Sequence, residues 1–166
     1  MNIEKIKLRK IKSSDDKYFS IWWRDKTLIK LTSGDLKPIT DAEVKKYFLA
    51  MLRSRKDYHF MIILDKQVIG HISLVKRKDK WHETQIVIGE KSCWNKGCGT
   101  KAIQMLLKKA KRFSISKIFL EVRPNNLRAI KSYKKCGFVK IEIKKYSKNK
   151  HLPEVLRMEL EDKFVK

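Results

Sequence analysis

The chain has 166 residues, of which 42% are hydrophobic and 10% aromatic, and its 41 Lys and Arg against 18 Asp and Glu give a net charge of +23. That length and apolar content predict a single domain over residues 1–166 and exclude an intrinsically disordered chain. No apolar run approaches the roughly 20 residues that span a membrane, and residues 1–10 lack the apolar block of a signal peptide, so we expect a cytoplasmic protein without membrane contact.

The excess of basic residues predicts attraction to polyanions such as ribosomes, nucleic acid and phosphorylated small molecules. The lysines are spread along the whole chain, however. A solvated basic surface without a polyanionic partner is therefore the alternative, and composition alone leaves ribosome or RNA association open.

The three cysteines, Cys93, Cys98 and Cys136, are an odd number and argue against a disulfide framework. The four histidines are scattered, and no pair of candidate ligands shows metal spacing, so no metal site is expected. We expect three reduced thiols, of which Cys98, between two glycines, is the candidate for reactivity.

In chain order, residues 3–11 partly alternate apolar and basic side chains and predict a first strand. Residues 13–16 offer a cap for a helix that carries the aromatic residues of the segment 18–23. Thr40 and Glu43 form a capping box for a second helix. The apolar stripe of that second helix consists of Val44, Tyr47, Phe48, Met51 and Leu52.

Residues 58–64 and 68–75 are rich in β-branched and aromatic side chains on either side of a possible turn, which predicts a hairpin. The later predicted elements are a strand at 81–89, a helix after residue 100, a strand at 117–122, a short helix ending at Gly137, and strands at 138–146 and 155–160. This order predicts a mixed α/β (α+β) domain with a central, largely antiparallel sheet flanked by helices.

The segment 94–100, Trp-Asn-Lys-Gly-Cys-Gly-Thr, joins a predicted strand to a predicted helix. Glycines at 97 and 99 let the backbone approach a ligand closely, and the free amides and dipole of the new helix favour a phosphate or pyrophosphate. The segment is neither a Walker loop nor the full dinucleotide fingerprint. A plain tight turn is the alternative.

The segment 126–138 reads Asn-Leu-Arg-Ala-Ile-Lys-Ser-Tyr-Lys-Lys-Cys-Gly-Phe. Together with the upstream glycine loop, it resembles the GNAT superfamily of N-acetyltransferases, over about residues 4–160 and most strongly over 83–138. Residues 86–90 and 94–102 are most similar to the branch of ribosomal-protein N-terminal and spermidine acetyltransferases. The resemblance implies the GNAT acyl-CoA N-acyltransferase fold, acetyl-CoA as co-substrate and an amine acceptor.

The same resemblance implies the cofactor-binding residues. It places the pyrophosphate on the backbone amides of Asn95, Lys96, Gly97, Cys98, Gly99 and Thr100, and the pantetheine arm along Val87, Ile88 and Gly89. Asn126 matches the family's cofactor-contacting asparagine, with a simple helix cap as the alternative. Many members carry Gln or Arg where this chain has Trp94, which removes one polar contact that some relatives use.

Two residues are candidates for catalysis. An alkyl amine with a pKa near ~10 must lose a proton before it attacks a thioester, and Glu83 matches the family's glutamate base. Tyr133 matches the family's tyrosine general acid, which donates to the departing thiolate. The alternatives are a solvated carboxylate for Glu83, with Glu90 as the fallback base, and a packed core tyrosine for Tyr133.

Residues 22–37 and 146–153 are expected to select the acceptor. The resemblance implies a protein N-terminus, a polyamine, an aminoglycoside or an amino sugar, and the positive charge favours the N-terminus of a ribosome-associated protein or a nucleotide-linked amino sugar. A non-catalytic acetyl-CoA-binding protein and a nucleic-acid-binding protein remain alternatives. The sequence leaves both a monomer and a homodimer open.

Overall fold

A computed structural model describes residues 1–32 and 36–161, and its seven strands form one sheet. The strands are β1 (Lys7–Lys10), β2 (Tyr58–Leu64), β3 (Gln67–Lys76), β4 (His82–Ile88), β5 (Ile118–Val122), β6 (Phe138–Lys145) and β7 (Glu154–Leu160). Their order across the sheet is β1-β2-β3-β4-β5-β7-β6, and β4 with β5 is the one parallel pair among the described strands. The predicted mixed, largely antiparallel sheet is confirmed.

Helices cover both faces of this sheet. They are α1 (Asp16–Trp22), α2 (Lys26–Thr32), α3 (Asp41–Arg53), α4 (Cys98–Arg112) and α5 (Leu127–Lys135). Alternate residues of β2 show the two sides: Phe60 and Ile62 are buried against α4 and α5, whereas Met61 is buried against α1, α2 and α3. Each face of the sheet therefore has its own apolar core.

Several predicted elements are confirmed with small shifts in their ends. The hairpin is β2 and β3, and the capping box forms as expected, with Glu43 N–H donating to Thr40 Oγ1 over 3.3 Å and Thr40 N–H donating to Glu43 Oε2 over 2.8 Å. Gly137 ends the last helix with a φ of 91°. Among the described residues, no helix has the length and apolarity needed to cross a membrane.

The N-terminal quarter differs from the prediction. The first strand is shorter because residues Ile3–Lys5 form a 3-10 turn. Asp15 does not cap α1 through its side chain: its buried carboxylate instead accepts hydrogen bonds from the Arg9 guanidinium, at 2.8 and 3.0 Å, and from the Lys12 amide. Helix α2 was not predicted at all. The predicted acceptor segment 22–37 includes residues 33–35, which lie outside the described part of the chain.

Candidate active site

The parallel strands β4 and β5 diverge to form a fork. In the described chain they pair only at His82 with Ile118 and at Glu83 with Phe119. Beyond Glu83 the space between the strands opens into a cavity of about 980 Å³, lined by residues of both strands, of α1 to α3 and of the starts of α4 and α5. The fork brings the predicted glycine loop, Glu83 and Tyr133 to one cavity.

The inner edge of β4 exposes backbone groups to this cavity. His82 N–H donates to Lys117 O on the β5 side, and N–H and C=O groups alternate sides along a strand, so those of Thr84, Ile86 and Ile88 point into the fork. Gly89 N–H, by contrast, donates to Ile69 O on β3 at 2.9 Å. Of the three residues predicted to pair with a pantetheine arm, Ile88 faces the fork, while the backbones of Val87 and Gly89 face β3.

The glycine loop ends in an uncapped helix N-terminus. Gly97 is the N-cap of α4 in the left-handed region, with a φ of 83°, and has no side chain to satisfy the helix amides. The first helical hydrogen bond joins Lys101 N–H to Gly97 O, so the amides of Cys98, Gly99 and Thr100 have no acceptor within the helix. Without an acidic residue in its first turn, α4 presents these donors to an anion.

Trp94 and Asn126 flank the loop. The indole of Trp94 donates from Nε1 to Ile88 O over 2.7 Å, and the Arg128 guanidinium lies 4.1 Å from the centre of the tryptophan ring. Trp94 thus fixes the loop to the end of β4, a contact that the sequence did not reveal. Asn126 caps α5, because its Oδ1 accepts from Ala129 N–H at 3.3 Å, and it also lines the cavity.

Glu83 lies at the base of the fork with its carboxylate already bonded. The guanidinium of Arg77 donates to Oε2 from Nε at 2.9 Å, and Gln85 donates to Oε1 at 3.0 Å. The side chain is 17% exposed and lines the cavity. Any amine that uses Glu83 as a base must therefore compete with a guanidinium for the same carboxylate.

Tyr133 lines the opposite wall of the cavity, on α5. Its ring packs edge-on against Phe138, with centroids 6.1 Å apart, and its hydroxyl has no hydrogen-bond partner among the described residues. Burial raises the pKa of the phenol to about 12. The side chain is therefore a protonated, unengaged donor at neutral pH.

The predicted reactivity of Cys98 is wrong. Its thiol is 1% exposed, within 3.6 Å of Met1 Sδ, and burial raises its pKa. A buried, protonated thiol is a poor nucleophile, even at a helix N-terminus. All three cysteines are free and buried.

Two histidines that the sequence did not connect meet on the acceptor side of the cavity. His59 on β2 and His71 on β3 are each 8% exposed, with Nδ1 of His59 lying 3.3 Å from Nε2 of His71. Burial lowers the pKa of both rings, that of His71 to about 3. Phe19 of α1 packs edge-on against His71.

This buried pair makes stability fall in mild acid. A histidine whose folded pKa is lowered stays neutral while its unfolded counterpart takes up a proton, so the loss begins as the pH falls through about 6.5. For His71 we expect the free energy of unfolding to be about 1.4 kcal/mol lower at pH ~5.5 than at pH ~7.5. Urea unfolding at the two pH values measures this difference in the free energy of unfolding. The variant His71→Gln should lack the part of the difference that His71 causes. Equal stabilities at the two pH values would contradict the buried neutral state.

Comparison with known proteins identifies the family. The model of the acetyltransferase (GNAT) domain matches residues 5–139, most of the chain. The chain belongs to the GNAT acetyltransferase family. The uncapped α4 and the β4–β5 fork therefore lie in a GNAT domain, as the motifs of residues 94–100 and 126–138 predict.

Individual relatives are distant. An uncharacterized protein of Methanocaldococcus jannaschii is 24% identical over 153 residues, which are 91% of this chain and 31% of that protein. The spermidine N-acetyltransferase of Vibrio cholerae, solved with CoA and spermine, superposes with a TM-score of 0.83 at 20% identity, covering 98% of this chain and 99% of the other. AAC(6')-Ib, solved with paromomycin and acetyl-CoA, superposes with a TM-score of 0.80 at 19% identity, covering 96% and 95%. The chain thus spans about a third of the matched archaeal protein, and the solved structures share its fold.

Proposed function

We propose that this chain transfers the acetyl group of acetyl-CoA to a primary amine. The observation that carries the proposal is the fork, where the open edge of β4, the uncapped start of α4 and the Tyr133 hydroxyl line one cavity. The fold is shared with acetyltransferases solved with CoA and with amine ligands. We further propose that residues 1–166 act as one such domain, either as a monomer or as a homodimer.

The residues present fit acetyl-CoA. The amides of Cys98, Gly99 and Thr100 would hold its pyrophosphate, with those of Asn95, Lys96 and Gly97 lining the approach, and Asn126 lies beside them on the cavity wall. The open groups of Ile86 and the N–H of Ile88 would pair with the amides of the pantetheine arm as an added strand does, whereas the Ile88 carbonyl already accepts from Trp94. When bound, acetyl-CoA supplies an activated thioester.

The chain's own residues then orient the amine and manage its proton. Glu83 attracts the ammonium form of the acceptor at the base of the fork, and its bond to Arg77 fixes the direction of the carboxylate. The ammonium loses one proton to solvent to become the neutral amine that attacks. Tyr133 donates a hydrogen bond from its hydroxyl to the sulfur as it departs. Backbone amides on the inner edge of β4 polarise the reacting carbonyl.

For the acceptor, we propose the N-terminus of a ribosome-associated protein. The support is the net charge of +23, which attracts an acceptor carried on a polyanion and repels free polycations. A small amine is the second candidate, favoured by the shared fold of enzymes solved with spermine and paromomycin and by Asp57, Glu83 and Glu121 on the cavity wall.

An assay of CoA release with a panel of amines tests the activity, and its salt dependence tests the acceptor. With acetyl-CoA saturating, kcat/KM for an acceptor on a ribosomal particle or a nucleotide sugar should fall as salt rises to ~0.15 M, because screening weakens long-range attraction. For spermidine or an aminoglycoside it should rise. A polyamine acceptor with salt-independent kinetics would contradict the proposal that the net charge selects the acceptor. Acetyl-CoA binding without transfer to any amine would indicate a non-catalytic acetyl-CoA-binding protein.

A further inference from the structure

The paired histidines on β2 and β3 have no part in the steps above. Both rings line the cavity, and their planes lie 17° apart with centroids separated by 5.4 Å. The 3.3 Å contact uses Nδ1 of His59 and Nε2 of His71, while the outer nitrogens, Nε2 of His59 and Nδ1 of His71, have no partner among the described residues. A buried pair of titratable groups thus faces the space that the acceptor would enter.

The chemistry of two neutral imidazoles defines what this pair presents. Each neutral ring has one N–H and one acceptor nitrogen. If one proton lies in the shared contact, one of the outer nitrogens must carry a hydrogen and the other must be bare. Moving the shared proton across the contact exchanges these two neutral states when the bare outer nitrogen gains a proton and the protonated outer nitrogen loses one. The pair can accept a proton at one end and release another at the other end.

The surroundings favour this neutral exchange over a lasting imidazolium. From α1, the aromatic ring of Phe19 packs against His71. The charged residues that line the same cavity are Arg53, Asp57, Arg77, Glu83, Glu121, Arg123 and Arg128. Arg77 and Glu83 are bonded to each other, and Asp57 accepts hydrogen bonds from Ser54 Oγ and Lys76 N–H at 2.8 Å. Glu121 accepts from Lys144 and Tyr146 at 3.1 and 3.0 Å. Each carboxylate on the described cavity wall thus already accepts hydrogen bonds from other groups, and none of them is bonded to a ring of the pair.

The position also suits the reacting amine. His71 lies directly opposite Val87 on β4, next to the open strand edge proposed for the pantetheine arm, whereas Glu83 lies opposite Val75, four residues nearer the closed end of the fork. Side chains at 71, 83 and 87 share one face of the sheet, because these positions are paired directly or lie an even number of residues apart. The pair is therefore closer than Glu83 to the mouth of the fork.

We propose that His59 and His71 relay the proton of the acceptor amine to solvent, an inference that rests on the proposed acetyl transfer. As the carbon–nitrogen bond forms, an N–H bond of the amine breaks and its proton passes to the bare outer nitrogen of one ring. The shared proton moves across the contact, and the N–H at the far end releases its proton to water. Three protons shift, no electrons are transferred, and both rings end neutral in the opposite tautomers.

The test compares His59→Gln, His71→Gln and the double variant. An amide side chain can still hydrogen bond but cannot pass a proton through itself, so each single variant should lower kcat about tenfold, with water as the poorer acceptor. The double variant should lose no more than either single one, because the relay acts as a unit. In mixtures of H₂O and D₂O, a plot of the wild-type rate against deuterium content should be curved, because several protons move in the same step. The same plot for the variants should be a straight line.

His82→Gln is the matched control, since His82 is a similarly buried histidine on β4 that does not line the cavity. This variant should retain the wild-type kcat and the curved dependence of the rate on deuterium content. The relay would be overturned by additive losses in the double variant, by an effect on KM alone, or by a straight line in the wild type.

Nitrogen NMR of ¹⁵N-histidine protein gives a readout that needs no substrate. Both rings of the pair should remain neutral at pH ~6.5, where an ordinary histidine is half charged, and either ring found as imidazolium there would overturn the relay. If the wild type transfers acetyl to no amine, the proposed function fails and the relay with it. If transfer proceeds at normal rates in both single variants, the relay alone fails.

Discussion

Replacing Gly99 with valine is expected to weaken acetyl-CoA binding about a hundredfold, or about 2.7 kcal/mol, without disturbing the fold. A Cβ built on Gly99 would meet only Ile88 Cγ1, at an ordinary 3.8 Å. The protein itself therefore tolerates a side chain there. A pyrophosphate held by the amides of Cys98, Gly99 and Thr100 would not, because the added methyl groups occupy its approach. Calorimetric titration with acetyl-CoA measures the loss.

Two variants separate this effect from a general change in α4. Gly99→Ala should be at least as stable as the wild type in thermal unfolding, since alanine favours a helix by up to ~1 kcal/mol over glycine. Gln104→Val places the same residue at an exposed position of the same helix and should bind acetyl-CoA normally. Wild-type affinity for acetyl-CoA in Gly99→Val would contradict the proposal that the pyrophosphate binds at the start of α4.

The elements with strong local signals were predictable from sequence. Thr40 with Glu43, the apolar hairpin strands and Gly137 each act through residues close in sequence, and all three form as predicted. Helix α2 was missed because its seven residues are too few for a periodic stripe. One signal was available: Asp25 caps this helix by accepting from the amides of Thr27 and Leu28 at 2.8 and 3.0 Å.

The candidate site likewise has parts that were predictable from sequence and parts that were not. The glycine loop, Asn126 and Tyr133 belong to local motifs, and the structure brings them to one cavity. The contact of His59 with His71 depends on the register of β2 against β3, which shifts at Ile62 and Ile63, and no local pattern specifies such a shift. The misjudged reactivity of Cys98 has the same origin, because neighbouring glycines suggested exposure whereas tertiary packing buries the thiol.

Removing the Tyr133 hydroxyl is expected to lower kcat about a hundredfold, the lower end of the range for a lost hydrogen bond that stabilises developing charge. Tyr133→Phe retains the edge-on contact with Phe138, and the hydroxyl has no partner in the described chain to lose, so the melting temperature and the acetyl-CoA affinity should stay near those of the wild type. Steady-state and binding measurements on the same preparation separate these quantities.

The pH dependence of kcat shows how this hydroxyl acts. With its pKa raised to about 12, the phenol holds its proton more tightly than a departing thiol of pKa ~8.5, so it should stabilise the sulfur by hydrogen bonding rather than by full transfer. Ionisation of Tyr133 should then cause no loss of kcat up to pH ~10. Tyr58→Phe, which alters a tyrosine stacked on Phe113 away from the cavity, should leave kcat unchanged. Wild-type turnover in Tyr133→Phe would reduce this residue to a packing role, because the only atom removed is the one that donates.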